Sequence, residues 1–212
     1  MLNNPFVTLS IDEFTSRLSS KDPVPGGGGT AALAGALGIA LGEMVANLTI
    51  GKQKYADVEN EIQNIKESAE PLRKELLTLV ERDAEVFAPL SDAYRMPENS
   101  EIEKTEKERV MQDCLKKASL VPLEIMDKCA EAIPLIEELA SKGSVIAVSD
   151  AGCAAALIKA AILSAWLNVR INIRLIKDEE FVTETNSHGN DLLAEYIPRA
   201  DKVYDGVVAK LR

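Results

Sequence analysis

The chain has 212 residues, 46% of them hydrophobic, which suffices for a substantial buried core and argues against disorder. Its net charge of −10 excludes sequence-independent binding of nucleic acid, which needs excess lysine and arginine, yet leaves room for a small anion held by a few local cations. One histidine (His188) and three scattered cysteines (Cys114, Cys129, Cys153) give neither a zinc ligand set nor a disulfide framework, and fit a reducing compartment.

The N-terminal "MLNNPFVTLS" has neither the basic nor the apolar region of a signal peptide. The two longest apolar runs are broken by Gly42-Glu43 and by Lys159 and read as too short to cross a bilayer. The expectation is a cytoplasmic protein with no membrane partner. Helical periodicity dominates from there on. Residues 10–20 open with Ser10 and Glu13 at capping-box spacing and gather Ile11, Phe14 and Leu18 on one face. "PVPGGGGTA" (23–31) then leads into an alanine-rich helix ending at Gly51, in which Ala31, Gly35, Gly38 and Gly42 form a nearly flat face. Such a face suits close helix packing, within one chain or between subunits.

Residues 55–94 form one long helix or two, Pro71 being able to start the second. A helical stretch over 100–142 carries Pro122 and Pro134 and closes at Gly143. "SVIAVSD" (144–150) reads as a short extended piece. The following "SDAGCAAALIKAAILSAWLNVRINIRLI" is apolar nearly all round, as a buried central helix would be. A last amphipathic helix covers about 190–211, with Leu192, Tyr196, Ala200, Val203 and Val207 on one side. With no linker or repeat, residues 1–212 read as a single all-α domain, a multi-helix bundle.

Three features carry chemistry. The glycine run lacks the Lys-Ser/Thr of a phosphate loop and the preceding strand of a dinucleotide fold. It reads as a loop whose free N–H groups at a helix start could take an anion or a carbonyl, or as a tight turn packed on another helix. Asp83 falls on an apolar stripe with Leu76, Leu79, Val80, Phe87, Leu90 and Tyr94. There desolvation would raise its pKa and let it exchange protons near neutrality, unless Arg82, Arg95 or a helix cap satisfies it. Ser164, Asn168 and Asn172 recur every fourth residue on the apolar helix, as groups able to read a heteroaromatic edge or to bond neighbouring backbone. Ser149 and Asp150 add a cap and a carboxylate at the start of that helix. Lys52 and Lys54 are solvated, or border the pocket as its local cations, and His188 reads as a polar loop residue.

Together "PVPGGGGTAALAGALGIALGEMVANLTIGKQKY", "ERDAEVFAPLSDAYRMP" and "SDAGCAAALIKAAILSAWLNVRINI", in that order, resemble the formiminotransferase-cyclodeaminase family, in its cyclodeaminase domain and free-standing cyclohydrolase relatives. The likeness runs from about residue 8 to the C-terminus. It implies an all-helical homodimer acting on tetrahydrofolate one-carbon derivatives, without metal or prosthetic group. By that resemblance Asp83 is the catalytic acid–base, and Gly26, Gly27, Gly28, Gly29, Lys52, Ser149, Asp150, Asn168 and Asn172 bind substrate. The glycines would let backbone N–H groups approach the folate. The fourth glycine is a departure, since many members have serine there, so a side-chain hydroxyl would come from Thr30 or not at all. The formiminotransferase domain is not expected here. Two reactions fit: hydrolysis of 5,10-methenyltetrahydrofolate to 10-formyltetrahydrofolate, and conversion of 5-formiminotetrahydrofolate to the methenyl form with loss of ammonia. The competing class is a non-catalytic helical folate-binding or scaffolding protein.

Overall fold

The structure, a computed structural model, describes residues 5–211. It contains six α-helices: α1 (Ile11–Leu18), α2 (Gly27–Asn47), α3 (Glu59–Tyr94), α4 (Glu101–Lys142), α5 (Val148–Ile173) and α6 (Glu179–Lys210). No strand occurs among the described residues. α1 begins as its sequence predicts, with Ser10 and Glu13 in a reciprocal capping box, and Ser100 with Glu103 does the same for α4. Phe14 of α1 meets Phe6 edge to face at 6.4 Å, which ties the N-terminal segment down.

The bundle is assembled around α2 and α5. α2 packs against α3 on one side and α5 on the other, α6 lies on the far side of α5, and α4 runs against all four. The small-residue face of α2 is consumed inside the chain. A Cβ at Gly38 would stand 2.7 Å from Ile158 Cγ1 and 3.0 Å from the Ala154 carbonyl, so α2 and α5 meet nearly backbone to backbone. The same contacts fix their sense. Gly27 lies by Asn168 and Gly38 by Ile158, so the two helices are antiparallel.

One alternative is decided and three local expectations are corrected. Of one long helix or two over 55–94, the structure has one: α3 runs unbroken through Pro71 and Pro89, although each lacks an N–H to donate and crowds the carbonyl four residues back. Residues 145–147 form a 3₁₀ turn feeding α5, not an extended piece, so their β-branched side chains yield to tertiary packing. Ser149 makes no cap: Ala147 holds that position, and Asp150 sits in the first turn, where a carboxylate complements the helix dipole. α6 starts at Glu179, eleven residues earlier than its sequence suggests, capped by Asp178. The polar "TNSHGND" lies within it, with Gly189 pressed against the ring of Trp166, where any side chain would overlap the indole. His188 is therefore a helix residue, bonded through Nε2 to Asp127 at 2.6 Å.

By length and composition alone, α2 and the stretch Val145–Ile173 are long and apolar enough to cross a bilayer, contrary to the reading of their interrupted runs. α5 is central, touching α2, α4 and α6, but it is not buried all round. Leu163, Leu167 and Ile171 stay exposed on its outer side.

Candidate active site

The glycine run is the first turn of a helix rather than a loop before it, with Gly26 as the N-cap of α2. A helix start presents N–H groups without intrahelical acceptors. Here the protein supplies the anion itself: Gly29 N donates to Asp83 Oδ2 at 2.8 Å. The close approach that glycine permits is made by side chains of this chain. A Cβ at Gly28 would overlap the Asp83 carboxylate, and one at Gly27 would lie 2.9 Å from Asn168 Nδ2. Thr30 turns its hydroxyl back to the Gly26 carbonyl at 2.8 Å.

Asp83 reaches this point from the buried stripe of α3, where Leu76, Leu79, Val80 and Leu90 are in the core; Tyr94, at the end of that stripe, is exposed. Neither candidate arginine neutralises it. Arg82 binds Glu124 of α4 at 2.8 Å and Arg95 lies by Asp92 at 3.9 Å. Burial pushes the Asp83 carboxyl above the usual carboxylate range, and the Gly29 N–H offsets part of that rise. One oxygen is thus anchored and the group is poised to hold or release a proton.

The carboxyl opens into a cleft of about 140 Å³ lined by Gly26, Gly27, Val86, Phe87, Asn168 and Asn172, with Pro23, Val24, Ala118 and Ile171 at its edges. Both amides are oriented by backbone. Asn168 Nδ2 donates to Ser164 O at 2.8 Å, and Asn172 Nδ2 donates to Ala118 O at 2.9 Å. Neither Oδ1 accepts a hydrogen bond among the described residues, so two residues lining the cleft each retain a free acceptor beside the acid. Ser164 itself is exposed and lines the adjoining groove, not the cleft.

The structure thus brings together Asp83, Asn168, Asn172, Gly26 and Gly27, with Gly28 and Gly29 behind the carboxylate. It places Lys52, Ser149 and Asp150 elsewhere. Lys52 follows the C-terminal end of α2 and comes within 3.5 Å of Ser144 Oγ, while Ser149 and Asp150 begin α5. Along α5 they are about 27 Å from Asn168, at 1.5 Å rise per residue. What sequence reasoning missed is the contribution of α4: the Ala118 carbonyl orients Asn172, and a backbone acceptor leaves no trace in residue identity. Among the described residues no three His, Cys, Asp or Glu side chains gather as a metal site.

Residues 10–191 match the family described as Formiminotransferase-cyclodeaminase. The chain is 40% identical to a methenyltetrahydrofolate cyclohydrolase of Methylorubrum extorquens, over 95% of this chain and 97% of that protein. It is 28% identical to the mouse formimidoyltransferase-cyclodeaminase over 95% of this chain, and spans 37% of that longer protein. The solved formiminotetrahydrofolate cyclodeaminase of Thermotoga maritima superposes with a TM-score of 0.82 at 33% identity, covering 97% and 96% of the two chains. The chain belongs to the formiminotransferase-cyclodeaminase family.

Proposed function

We propose that this chain is a tetrahydrofolate one-carbon enzyme using Asp83 as its acid–base, with hydrolysis of 5,10-methenyltetrahydrofolate as its principal reaction. The observation that carries the reading is an unneutralised, desolvated carboxyl opening into a cleft with two free amide oxygens. Those oxygens suit the N–H donors on the edge of a pterin. The 40% identity to a full-length cyclohydrolase favours the hydrolytic reaction over the deaminating one.

In hydrolysis, water adds to the carbon bridging N5 and N10 of the methenyl cation while Asp83 takes a proton from it. The resulting tetrahedral carbon carries N5, N10 and OH. Return of the proton to N5 lets the C–N5 bond break, leaving the formyl group on N10 and releasing one proton overall. In the cyclodeaminase reaction, N10 attacks the carbon of the protonated formimino group (N5–CH=NH2+), giving a carbon that bears N5, N10 and NH2. The proton that Asp83 removes from N10 goes to that NH2, which leaves as ammonia and yields the methenyl cation. The intermediates differ only in OH against NH2, so one carboxyl serves both. General acid–base help of this kind contributes about 10²–10⁴-fold. The proposal includes a cytoplasmic homodimer without nucleic-acid or membrane partners and without a resident metal or prosthetic group, since the carboxyl alone handles the protons.

Near-ultraviolet absorbance of methenyltetrahydrofolate tests this in two reactions. Enzyme-dependent loss starting from the methenyl compound is the expected result. A rise starting from 5-formiminotetrahydrofolate, with ammonia released, would assign the cyclodeaminase reaction instead. Asp83→Asn should cut turnover by about 10²–10⁴-fold while folate binding persists. Folded wild-type protein inert in both reactions would leave the non-catalytic binder.

A further inference from the structure

We propose that Gln112 is a positioning residue for the cleft: it fixes the end of α5, and through it which end of the Asn172 amide is offered to the substrate. This rests on the folate reading above.

The two cleft amides are held in different ways. Asn168 bonds within its own helix, to Ser164 O one turn back. Asn172 bonds to another helix, at Ala118 O of α4. Which end of its amide is free for a ligand therefore depends on the register of α5 against α4. With Nδ2 on Ala118 O, Oδ1 is the free end. If the register slips, the amide can turn and offer N–H where an acceptor stood.

Asn172 is the last residue but one of α5, where the helix is weakly held. Its final bonds are long: Arg174 N to Arg170 O at 3.3 Å and Leu175 N to Asn172 O at 3.2 Å. The backbone leaving a helix end must find its partners outside the helix. Gln112 of α4 provides them. Its Nε2 donates to Leu175 O at 2.9 Å, and its Oε1 accepts from Lys177 N at 2.8 Å. One side chain thus grips the backbone on both sides of Ile176. Leu175 is also the residue whose N–H holds Asn172 O, so the path from Gln112 to Asn172 runs through a single residue.

Gln112 and Ala118 stand about 9 Å apart along α4, at 1.5 Å rise per residue. α4 therefore holds Asn172 twice, at its side chain directly and at its backbone through Leu175. The other α4 contacts to this connection are ion pairs, Lys116 with Asp178 at 2.6 Å and Glu108 with Lys177. Both are solvent-exposed, where such pairs contribute little, and both end farther along the chain from Asn172. Among the described residues, Gln112 is the one α4 side chain bonded to backbone between Asn172 and Asp178.

Gln112→Met tests this, because it keeps the length and stem of the side chain and removes both bonds. KM for methenyltetrahydrofolate should rise about threefold, within the range of one hydrogen bond, with kcat nearly unchanged. A clamp that serves stability alone would lower the melting temperature and leave KM where it was. The decisive measurement is a pair of double-mutant cycles. In an Asn172→Ala background, itself expected to raise KM up to about tenfold, Gln112→Met should add nothing, because the group it orients is gone. In an Asn168→Ala background it should again raise KM about threefold. An unchanged KM in the single variant, or equal effects in both backgrounds, overturns the proposal. Should Gln112→Met not fold, Gln112→Glu goes through the same cycles; it keeps the acceptor for Lys177 N and loses the donor to Leu175 O. If wild-type protein turns over neither substrate, the cycles are read as Kd for 5-formyltetrahydrofolate. If it binds none, the folate reading itself falls, and the side-chain amide NMR signals decide the positioning role alone. Gln112→Met should then shift the Asn172 pair and leave the Asn168 pair in place, and an unmoved Asn172 pair overturns the proposal.

Discussion

The two halves of α2 use small residues for opposite ends. At its start, the space left at Gly27 and Gly28 is taken by polar groups, Asn168 and Asp83, which keep lone pairs for a cleft. Eleven residues on, the space at Gly38 is filled by Ile158 and the backbone of α5 and becomes core. The helix is the same and so is the residue type. What differs is the neighbour that enters the gap, and that decides whether a glycine serves chemistry or cohesion.

Substitution should separate the two uses. Gly28→Ala has the largest expected effect on turnover, because the new methyl must displace the Asp83 carboxylate and break its bond to Gly29 N. A fall of about 10²-fold or more is expected, approaching the loss of the acid–base itself, with the protein still folded. Gly38→Ala should do the reverse. Overpacking against Ile158 and the Ala154 carbonyl should cost about 1–3 kcal/mol in urea unfolding, while the folded fraction keeps its kcat.

The third expectation is a pH dependence. A carboxyl with a raised folded-state pKa costs stability once pH exceeds its unfolded value, near 3.9; the cost grows until the folded pKa is passed and is constant above it. Asp83→Asn removes that cost while its amide oxygen still accepts from Gly29. Its stability relative to wild type should therefore rise as pH is raised from about 4, then level off. A flat difference across a pH series of denaturation curves would mean that Asp83 is not desolvated. The smallest effect is expected at Gly29→Ser. A Cβ there lies 3.4 Å from the Val80 carbonyl, an ordinary contact, and the N–H that holds Asp83 is retained. Stability should stay within about 0.5 kcal/mol of wild type, as for uncrowded positions generally.

Much of this was legible in the sequence. Helical periodicity gave the all-α bundle, the apolar stripe singled out Asp83, and the four-residue spacing singled out Asn168 and Asn172. Their physical basis is local, a matter of which residues share a helix face. The illegible part was long-range. Nothing in "PGGGGT" says that its gaps belong to Asp83, 54 residues on, and not to a ligand. The quoted motifs also gave no hint that Lys52, Ser149 and Asp150 lie at the far end of α2 and α5, because the sense of two packed helices is not written in either one. α6 began earlier than expected because polar residues around Gly189 resemble a loop until the Trp166 ring fills the place of the missing side chain.

That ring has a practical consequence. Trp166 is the chain's single tryptophan, wedged between Gly189 of α6 and the Arg170 guanidinium, 5.6 Å from its ring centre, and only two residues from Asn168. All indole emission therefore originates from one spot on the helix that carries both cleft amides. Methenyltetrahydrofolate absorbs where indole emits, so occupancy of the cleft can be followed as quenching of one built-in fluorophore, without labels and in variants that no longer turn over.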